Sequence, residues 1–155
     1  MARTNQRSVP IALIVIAAVL LAARFTYTPP KRDDGQSLVR WFSPQVGIER
    51  AKDAGKPILI YFTAEWCGPC HVLEADVFAD PLVAGDLNDR FIAVKVTDRM
   101  QEDGVNTPEV AALEQRYSVR GFPTIVFADA NGSEQGRMEG YRGREQFERI
   151  VERIR

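Results

Sequence analysis

Hydrophobic and polar positions divide the chain into an apolar N-terminal run, a polar connection and a longer body of alternating elements. An uninterrupted apolar stretch, VPIALIVIAAVLLAA, occupies residues 9–23. Residues 28–37, TPPKRDDGQS, are rich in proline and charge, which is typical of a linker. Short apolar runs then alternate with helical periodicity. We therefore predict an N-terminal segment over residues 1–27, a linker over residues 28–37 and a folded domain over residues 38–155.

Apolar runs of strand length in the body predict a sheet. They occur at residues 38–42, 57–63, 91–96 and 124–127. The run PILIYFT at 57–63 lacks polar alternation, which is the pattern of a central strand buried on both faces. Asn131-Gly132 predicts a hairpin turn, and residues 135–140 then supply a returning edge strand.

Helix starts are marked by local sequence signals. Three segments combine a capping side chain with a proline at the first helical position: Ser43-Pro44, Asp80-Pro81 and Thr107-Pro108. Phe147, Ile150, Val151 and Ile154 have the spacing of a terminal amphipathic helix. The order β-α-β-α-β-α-β-β-α predicts an α/β fold, a mixed sheet with helices on both faces.

The N-terminal apolar run follows Arg3 and Arg7, which is the arrangement of an export signal. As a helix it would be about 22 Å long, and a snorkelling Arg24 with nearby aromatic residues would extend it toward a ~30 Å hydrocarbon core. No Ala-x-Ala pair ends the run. We expect an uncleaved anchor through residues 9–27 in a bacterial inner membrane, with the C-terminal domain in the periplasm. The alternative is a cleaved signal peptide and a soluble periplasmic protein.

Composition excludes several classes of function. Twenty basic and 21 acidic residues give a net charge of -1, so we expect no nucleic-acid partner. Two cysteines and one histidine exclude a multi-disulfide scaffold, a four-cysteine zinc site and any site that needs two histidines. The acidic stretch 98–106 lacks the ligand spacing of a calcium loop and is expected to be a solvated loop.

The two cysteines, Cys67 and Cys70, lie where the predicted buried strand passes into a helix. On a first helical turn, this spacing puts the two sulfurs within bonding reach. The helix N-terminus favours a thiolate at Cys67, which can attack a foreign disulfide before Cys70 resolves the mixed disulfide. Pro69 fits an early helical position because its missing N–H has no partner there.

Other chemistries compete for the same pair. A structural disulfide closing so short a loop would remove little chain entropy. Zinc would need more ligands than His71 supplies. The string CGPCH at residues 67–71 matches a haem attachment pattern, for which only Met100 and Met138 in the body offer a second axial ligand. A c-type haem protein is therefore an alternative.

Two strings carry a family resemblance. Residues 64–70, AEWCGPC, are the string that thioredoxins carry, and residues 121–124, GFPT, resemble their cis-proline loop. Residues 38–155 thus resemble the thioredoxin superfamily. Residues 70–74, CHVLE, and 77–81, VFADP, are most similar to the C-terminal thioredoxin-like domain of DsbD-type thiol:disulfide interchange proteins, which moves electrons outward to exported acceptors.

The resemblance implies a thioredoxin-like fold and a protein-disulfide reductase that needs no cofactor beyond the redox-active Cys67–Cys70 disulfide. It makes Cys67 the nucleophile and Cys70 the resolving thiol. Substrate binding falls to residues around the pair: Trp66, Gly68, Pro69, Phe122 and the cis-proline Pro123. The implied partners are exported protein disulfides and a separate membrane electron donor or acceptor. A thioredoxin-fold binding module with a permanently oxidised pair is the second hypothesis.

One position departs from the family pattern. Thioredoxins place a buried aspartate six residues before the first cysteine, but here that residue is Tyr61, whose ordinary pKa near ~10 makes it a poor base. Glu74 lies four residues after Cys70 on the same helix face and is the candidate acceptor of the Cys70 proton. The alternative is a solvated surface glutamate. We expect His71 to be exposed.

Overall fold

A computed structural model of the chain describes residues 37–154. These residues belong to the second of two units into which the chain divides, Asp34–Arg155. The predicted N-terminal segment and most of the predicted linker lie outside the described residues. Within residues 37–154, no helix has both the length and the apolar character needed to cross a bilayer.

Five strands form one mixed sheet in the order β1-β3-β2-β4-β5. The strands are β1 (Trp41–Phe42), β2 (Ile58–Ala64), β3 (Ile92–Asp98), β4 (Thr124–Ala128) and β5 (Glu134–Glu139). Strand β3 runs parallel to both β1 and β2, whereas β4 is antiparallel to β2 and β5. The predicted mixed sheet with a late hairpin is confirmed.

Helices cover both faces of this sheet, as the sequence predicts. They are α1 (Pro44–Ala54), α2 (Gly68–Leu73), α3 (Pro81–Arg90), α4 (Met100–Asp103), α5 (Pro108–Arg116) and α6 (Arg144–Arg153). One face, which we call the cysteine-side core, holds both cysteines with Leu87 of α3 and Phe147 of α6. The other face, the opposite core, holds Ala51 of α1 and Leu113 of α5. The cysteines therefore lie on one face of the sheet only.

Strand β2 occupies the centre of the sheet, and all of its residues are buried. Its side chains alternate between the two cores: Leu59 and Tyr61 face the cysteine-side core, while Ile60 and Phe62 face the opposite one. This double burial explains why the strand is a continuous apolar run.

Local capping fixes two of the predicted helix starts. The Asp80 carboxylate accepts hydrogen bonds from the backbone N–H groups of Leu82 (2.9 Å) and Val83 (3.1 Å) at the start of α3. Thr107 caps α5 in the same way through Val110 N–H, at 3.4 Å. Ser43 precedes Pro44 at the start of α1 but makes no side-chain capping bond.

Three details differ from the predicted elements. The first strand is limited to Trp41–Phe42, and the acidic stretch 98–106 contains the short helix α4. The helix after Cys70 does not continue regularly, because Glu74–Phe78 forms a π-helical turn. The N–H of Ala79 donates to the carbonyl of Glu74 at 2.9 Å, an i→i+5 bond that closes this turn.

Candidate active site

The cysteine pair sits where β2 delivers the chain to the first turn of α2. Cys67 is the N-cap residue of that helix, and its Sγ accepts a hydrogen bond from the backbone N–H of Cys70 at 3.2 Å. The two cysteines form a disulfide, with their Cα atoms 5.2 Å apart. A backbone donor aimed at Sγ stabilises a thiolate at Cys67 once the disulfide is reduced.

Both cysteines are packed into the cysteine-side core, and each is only 1% exposed. A reacting group must therefore dock closely against the surface around the disulfide in order to reach either sulfur. The same burial argues against the haem alternative, because thioether bonds would require a macrocycle to approach two sulfurs that are enclosed by the protein. Pro69 and Gly68 lie exposed between them, at the surface of the first turn of α2.

Two aromatic rings form the rim next to the disulfide. Trp66 immediately precedes Cys67 and is 49% exposed, an unusual degree for so large an apolar side chain. Its ring meets that of Phe122 edge-on, with the ring centroids 5.9 Å apart. Phe122 also packs against both cores. The structure thus brings together two residues that lie 56 positions apart in the sequence.

Pro123 follows Phe122 through a cis peptide bond, as the family resemblance implies. The loop is tied to its surroundings on both sides. The carbonyl of Pro123 accepts a hydrogen bond from Gly140 N–H at 2.8 Å, and the hydroxyl of Thr124 donates to the carbonyl of Gly121 at 2.7 Å. These bonds hold the loop in place beside the rim.

Glu74 is not the solvated surface residue that the alternative described. It opens the π-helical turn, and its side chain is only 21% exposed. Its Oε1 accepts a hydrogen bond from Lys95 Nζ of strand β3 at 2.7 Å. Sequence reasoning missed Lys95, although a single charged residue inside the apolar run FIAVKV was a signal for it.

Tyr61 stands buried beneath α2, with no exposed surface. Its hydroxyl donates a hydrogen bond to Thr63 Oγ1 at 3.1 Å. Burial raises the pKa of Tyr61 far above its ordinary value, and the neighbouring carboxylate of Glu74 raises this pKa further. The tyrosine therefore stays neutral at physiological pH.

His71 is exposed, as expected, and its Nε2 lies 2.9 Å from the carbonyl oxygen of Glu65. This contact places the ring on the surface of α2.

The expectation of a solvated acidic loop is wrong for its first residue. Asp98 ends strand β3 and is only 7% exposed. It accepts a hydrogen bond from Met100 N–H at 3.1 Å, and Asn106 bridges its carboxylate to that of Glu114. The sequence of the acidic stretch does not reveal that Asp98 is buried, because the hydrogen-bonded network around Asp98 includes Glu114, which lies outside the stretch on α5. Residues 37–154 contain no group of three or more His, Cys, Asp or Glu side chains suited to a metal ion.

Comparison with known proteins identifies the family. A thioredoxin-like domain family matches residues 44–155, which include the whole site. The chain belongs to the thioredoxin-like family.

Several curated relatives of this thioredoxin-like chain are named thiol:disulfide interchange protein DsbD. The protein from Yersinia enterocolitica is 32% identical over 134 residues, covering 79% of this chain and 22% of the relative. That from Pectobacterium atrosepticum is 26% identical, covering 93% of this chain and 26% of the relative. The chain thus spans about a quarter or less of the length of these relatives, and it is a DsbD-like thioredoxin domain.

Solved structures show the same fold. A thioredoxin from Thermus thermophilus is 32% identical and superposes with a TM-score of 0.59, covering 72% of this chain and 82% of that protein. The DsbH oxidoreductase superposes with a TM-score of 0.63 at 21% identity, covering 99% of this chain and 94% of that one. Together with the redox-type cysteine pair, the family membership supports a thiol–disulfide oxidoreductase.

Proposed function

We propose that this thioredoxin-like protein is a membrane-tethered reductase of disulfides in exported proteins, with Cys67 as the nucleophile. The observation that carries the proposal is the position of Cys67 Sγ, which accepts the Cys70 N–H at the start of α2 while lying within bonding distance of Cys70. This arrangement suits a sulfur that alternates between a stabilised thiolate and a disulfide.

The reaction proceeds by two successive exchanges. In the reduced protein, the Cys67 thiolate attacks one sulfur of a substrate disulfide, and the other substrate sulfur leaves as a thiolate. Cys70 then loses its proton and attacks Cys67 Sγ, which releases the second substrate thiolate and forms the Cys67–Cys70 disulfide. Two electrons pass from the protein to the substrate, and the leaving thiolates take up protons.

The second exchange needs a proton acceptor for Cys70, which is shielded from water. Tyr61 is unsuited to this task because its buried hydroxyl stays neutral and already donates to Thr63. Glu74 is the better candidate, since it follows Cys70 by one helical turn and its side chain is only 21% exposed. We assign the Cys70 proton to Glu74.

Substrate docking belongs to the exposed surface around the disulfide. Trp66 and Phe122 offer an apolar contact for a substrate segment, and Gly68 and Pro69 present little bulk beside the sulfurs. An extended substrate strand would lie along the backbone at Phe122 and Pro123. This mode fits unfolded or loop segments that carry a disulfide.

The cellular setting rests on the N-terminal sequence and on the relatives. The basic residues followed by the apolar run 9–23 support an anchor in a bacterial inner membrane, with the domain on the periplasmic side. The interchange proteins to which the chain is similar support a membrane partner that supplies electrons to the Cys67–Cys70 disulfide.

Trapping experiments test the dithiol mechanism. Cys67→Ser should abolish reduction of an insulin disulfide, whereas Cys70→Ser should accumulate a mixed disulfide between Cys67 and the substrate that is visible by mass spectrometry. A Cys70→Ser protein that keeps full activity without trapped adducts would show that Cys70 does not resolve the intermediate.

The direction of electron flow is tested by the reduction potential of the pair, measured at equilibrium with dithiothreitol or glutathione buffers. We expect a value near the approximate −270 mV of thioredoxin. A value near the approximate −120 mV of strong oxidants would mean that the protein inserts disulfides instead.

A further inference from the structure

A groove extends from the rim of the active site along the cis-proline loop. Its volume is about 250 Å³. The loop and the end of β5 line it, through Arg120, Gly121, Phe122, Thr124, Glu139 and Gly140. Phe122 belongs to both the groove and the rim, because its ring also contacts that of Trp66. A substrate segment that docks at the rim therefore has this groove beside it.

Two groups of opposite charge line the groove. The Glu139 carboxylate accepts a hydrogen bond from Arg137 Nη1 at 2.9 Å, so a neighbouring cation counters its charge. Arg120 is exposed, and none of the ion pairs within residues 37–154 involves it. Its guanidinium therefore offers a planar set of N–H donors that fits a carboxylate.

The charges on the other side of the rim are paired. Glu65, which precedes Trp66, accepts a hydrogen bond from Arg99 Nη1 at 2.6 Å. Arg99 also donates to Asp103 through Nε, at 2.5 Å. In the described part of the chain, Arg120 is thus the arginine beside the rim that has no carboxylate partner.

The geometry of an extended strand determines which substrate residue meets Arg120. Successive side chains of a strand point to opposite faces, and residues two apart share a face at a spacing of roughly 6.6 Å. When the substrate cysteine points toward Cys67, the residues two positions away therefore also face the protein. One of them lies along the cis-proline loop, the side on which Arg120 lines the groove.

We propose that Arg120 determines part of the substrate specificity, by binding an aspartate or glutamate two residues from the reactive cysteine of an extended substrate segment. The inference rests on the proposed function and names a substrate class for the same site. The contact forms when the substrate docks, before any sulfur reacts. Arg120 should therefore change which substrates react fastest, without changing how the cysteine pair reacts with a small uncharged disulfide.

Symmetric peptide disulfides test this preference. Each substrate consists of two identical extended peptides joined by one disulfide, with Asp, Asn or Lys two residues from the cysteine on either side. The reduced full-length protein is mixed with each substrate, and the second-order rate constant of its oxidation is measured. Each value is divided by the rate constant with dithiothreitol, because a charge near a cysteine also changes the intrinsic reactivity of its disulfide.

With the wild-type protein at low salt, we expect the Asp substrate to react about five times faster than the Lys substrate, the scale of one partly exposed ion pair. The Asn substrate should lie between them. Sodium chloride at about 1 M should remove most of this preference, because it screens charges separated by more than roughly 3 Å.

Three variants separate Arg120 from the overall charge of the protein. Arg120→Gln should abolish the preference, and Arg120→Glu should reverse it in favour of the Lys substrate. Arg153→Gln removes another exposed arginine, in the last turn of α6, and should keep the wild-type preference. The wild type and all three variants should reduce a small uncharged disulfide at similar rates, since such a disulfide carries no charge for Arg120 to bind.

The outcomes separate this inference from the proposed function. A wild-type protein that reduces neither the peptides nor the small disulfide would overturn the proposed function. Reduction of all the peptides at equal rates would leave the proposed function in place and refute the role of Arg120. A preference for Asp that persists in Arg120→Gln would also refute it, because another group would then bind the carboxylate.

Discussion

Among single residues, Glu114 experiences an environment that opposes its ionisation. It is partly buried on α5, and within residues 37–154 its Oε1 has no hydrogen-bond partner. Burial raises the pKa of Glu114 above its ordinary value, and the nearby carboxylate of Asp98 raises it further. At this carboxyl the folded state therefore binds protons more tightly than the unfolded chain. This tighter proton binding at Glu114 stabilises the fold fully at pH values below the ordinary glutamate pKa. The stabilisation is lost as the pH rises through the raised pKa of the folded protein.

Replacing the Glu114 carboxyl by an amide should remove the free-energy cost of holding an ionised carboxylate in this environment. Glu114→Gln keeps an oxygen for Asn106 and adds an N–H₂ group that can donate to Asp98, so we expect about 1 kcal/mol more stability at neutral pH, the scale of one net hydrogen bond. The gain should shrink in acid, and urea unfolding at both pH values measures it. Glu109→Gln, an exposed change in the first turn of the same helix, should give no such gain. If Glu114→Gln is less stable than the wild type at neutral pH, the ionised Glu114 carboxylate does not destabilise the fold.

At the level of secondary-structure elements, two helical glycines have opposite surroundings. A Cβ added to Gly47 of α1 would collide with the Val94 side chain and come within 3.2 Å of Phe42 Cβ. Gly47 thus lets α1 lie close against β1 and β3. A Cβ added to Gly85 of α3 meets no atom within 4 Å.

These two positions form a matched pair for mutation. Gly47→Ala should lower the free energy of unfolding by about 1–3 kcal/mol, because overpacking outweighs the better helix propensity of alanine. Gly85→Ala should raise it by about 0.5–1 kcal/mol, since only the propensity term acts. Denaturant unfolding of both variants tests the difference, and a Gly47→Ala protein as stable as Gly85→Ala would mean that α1 can move away from the sheet at little cost.

The elements also show which parts of the fold a sequence can predict. The start of α3 was predictable because Asp80 and Pro81 stabilise the helical turn in which they lie. Strand β2 was predictable because a strand buried on both faces has a purely apolar sequence. The π-helical turn was not predictable. It coincides with Phe78, whose ring packs edge-on against Trp41 and Tyr61 with centroids 5.0 and 5.1 Å away, contacts that exist only in the folded sheet.

The same distinction applies to the candidate site. Cys67, Cys70 and the cis-proline loop lie in short local strings, and the structure places them as the resemblance implies. The partner of Glu74 is separated from it by 21 residues and is selected by the register of β2 and β3. Long-range pairing of this kind leaves only an indirect trace in the sequence, in this case a charge inside an apolar strand.

For the whole molecule, the redox state of the pair is coupled to the stability of the fold. The reduction potential of the pair differs between the folded protein and the unfolded chain. By a thermodynamic cycle, this difference in potential is set by how much the free energy of unfolding differs between the oxidised and the reduced protein. Two structural features have opposite effects on the stability of the reduced protein. The Cys70 N–H stabilises a Cys67 thiolate, whereas packing of both sulfurs into the core removes water from that thiolate once it forms.

We expect burial to dominate, so the oxidised full-length protein should unfold at a higher denaturant concentration than the reduced one. Each ~1.4 kcal/mol of difference corresponds to about 30 mV of potential, and unfolding curves recorded with and without dithiothreitol therefore provide a second measure of redox direction. A double Cys67→Ala/Cys70→Ala variant should give identical curves in both conditions. Greater stability of the reduced form would assign the protein to the oxidants, because a strongly oxidising pair is one whose reduced state the fold stabilises.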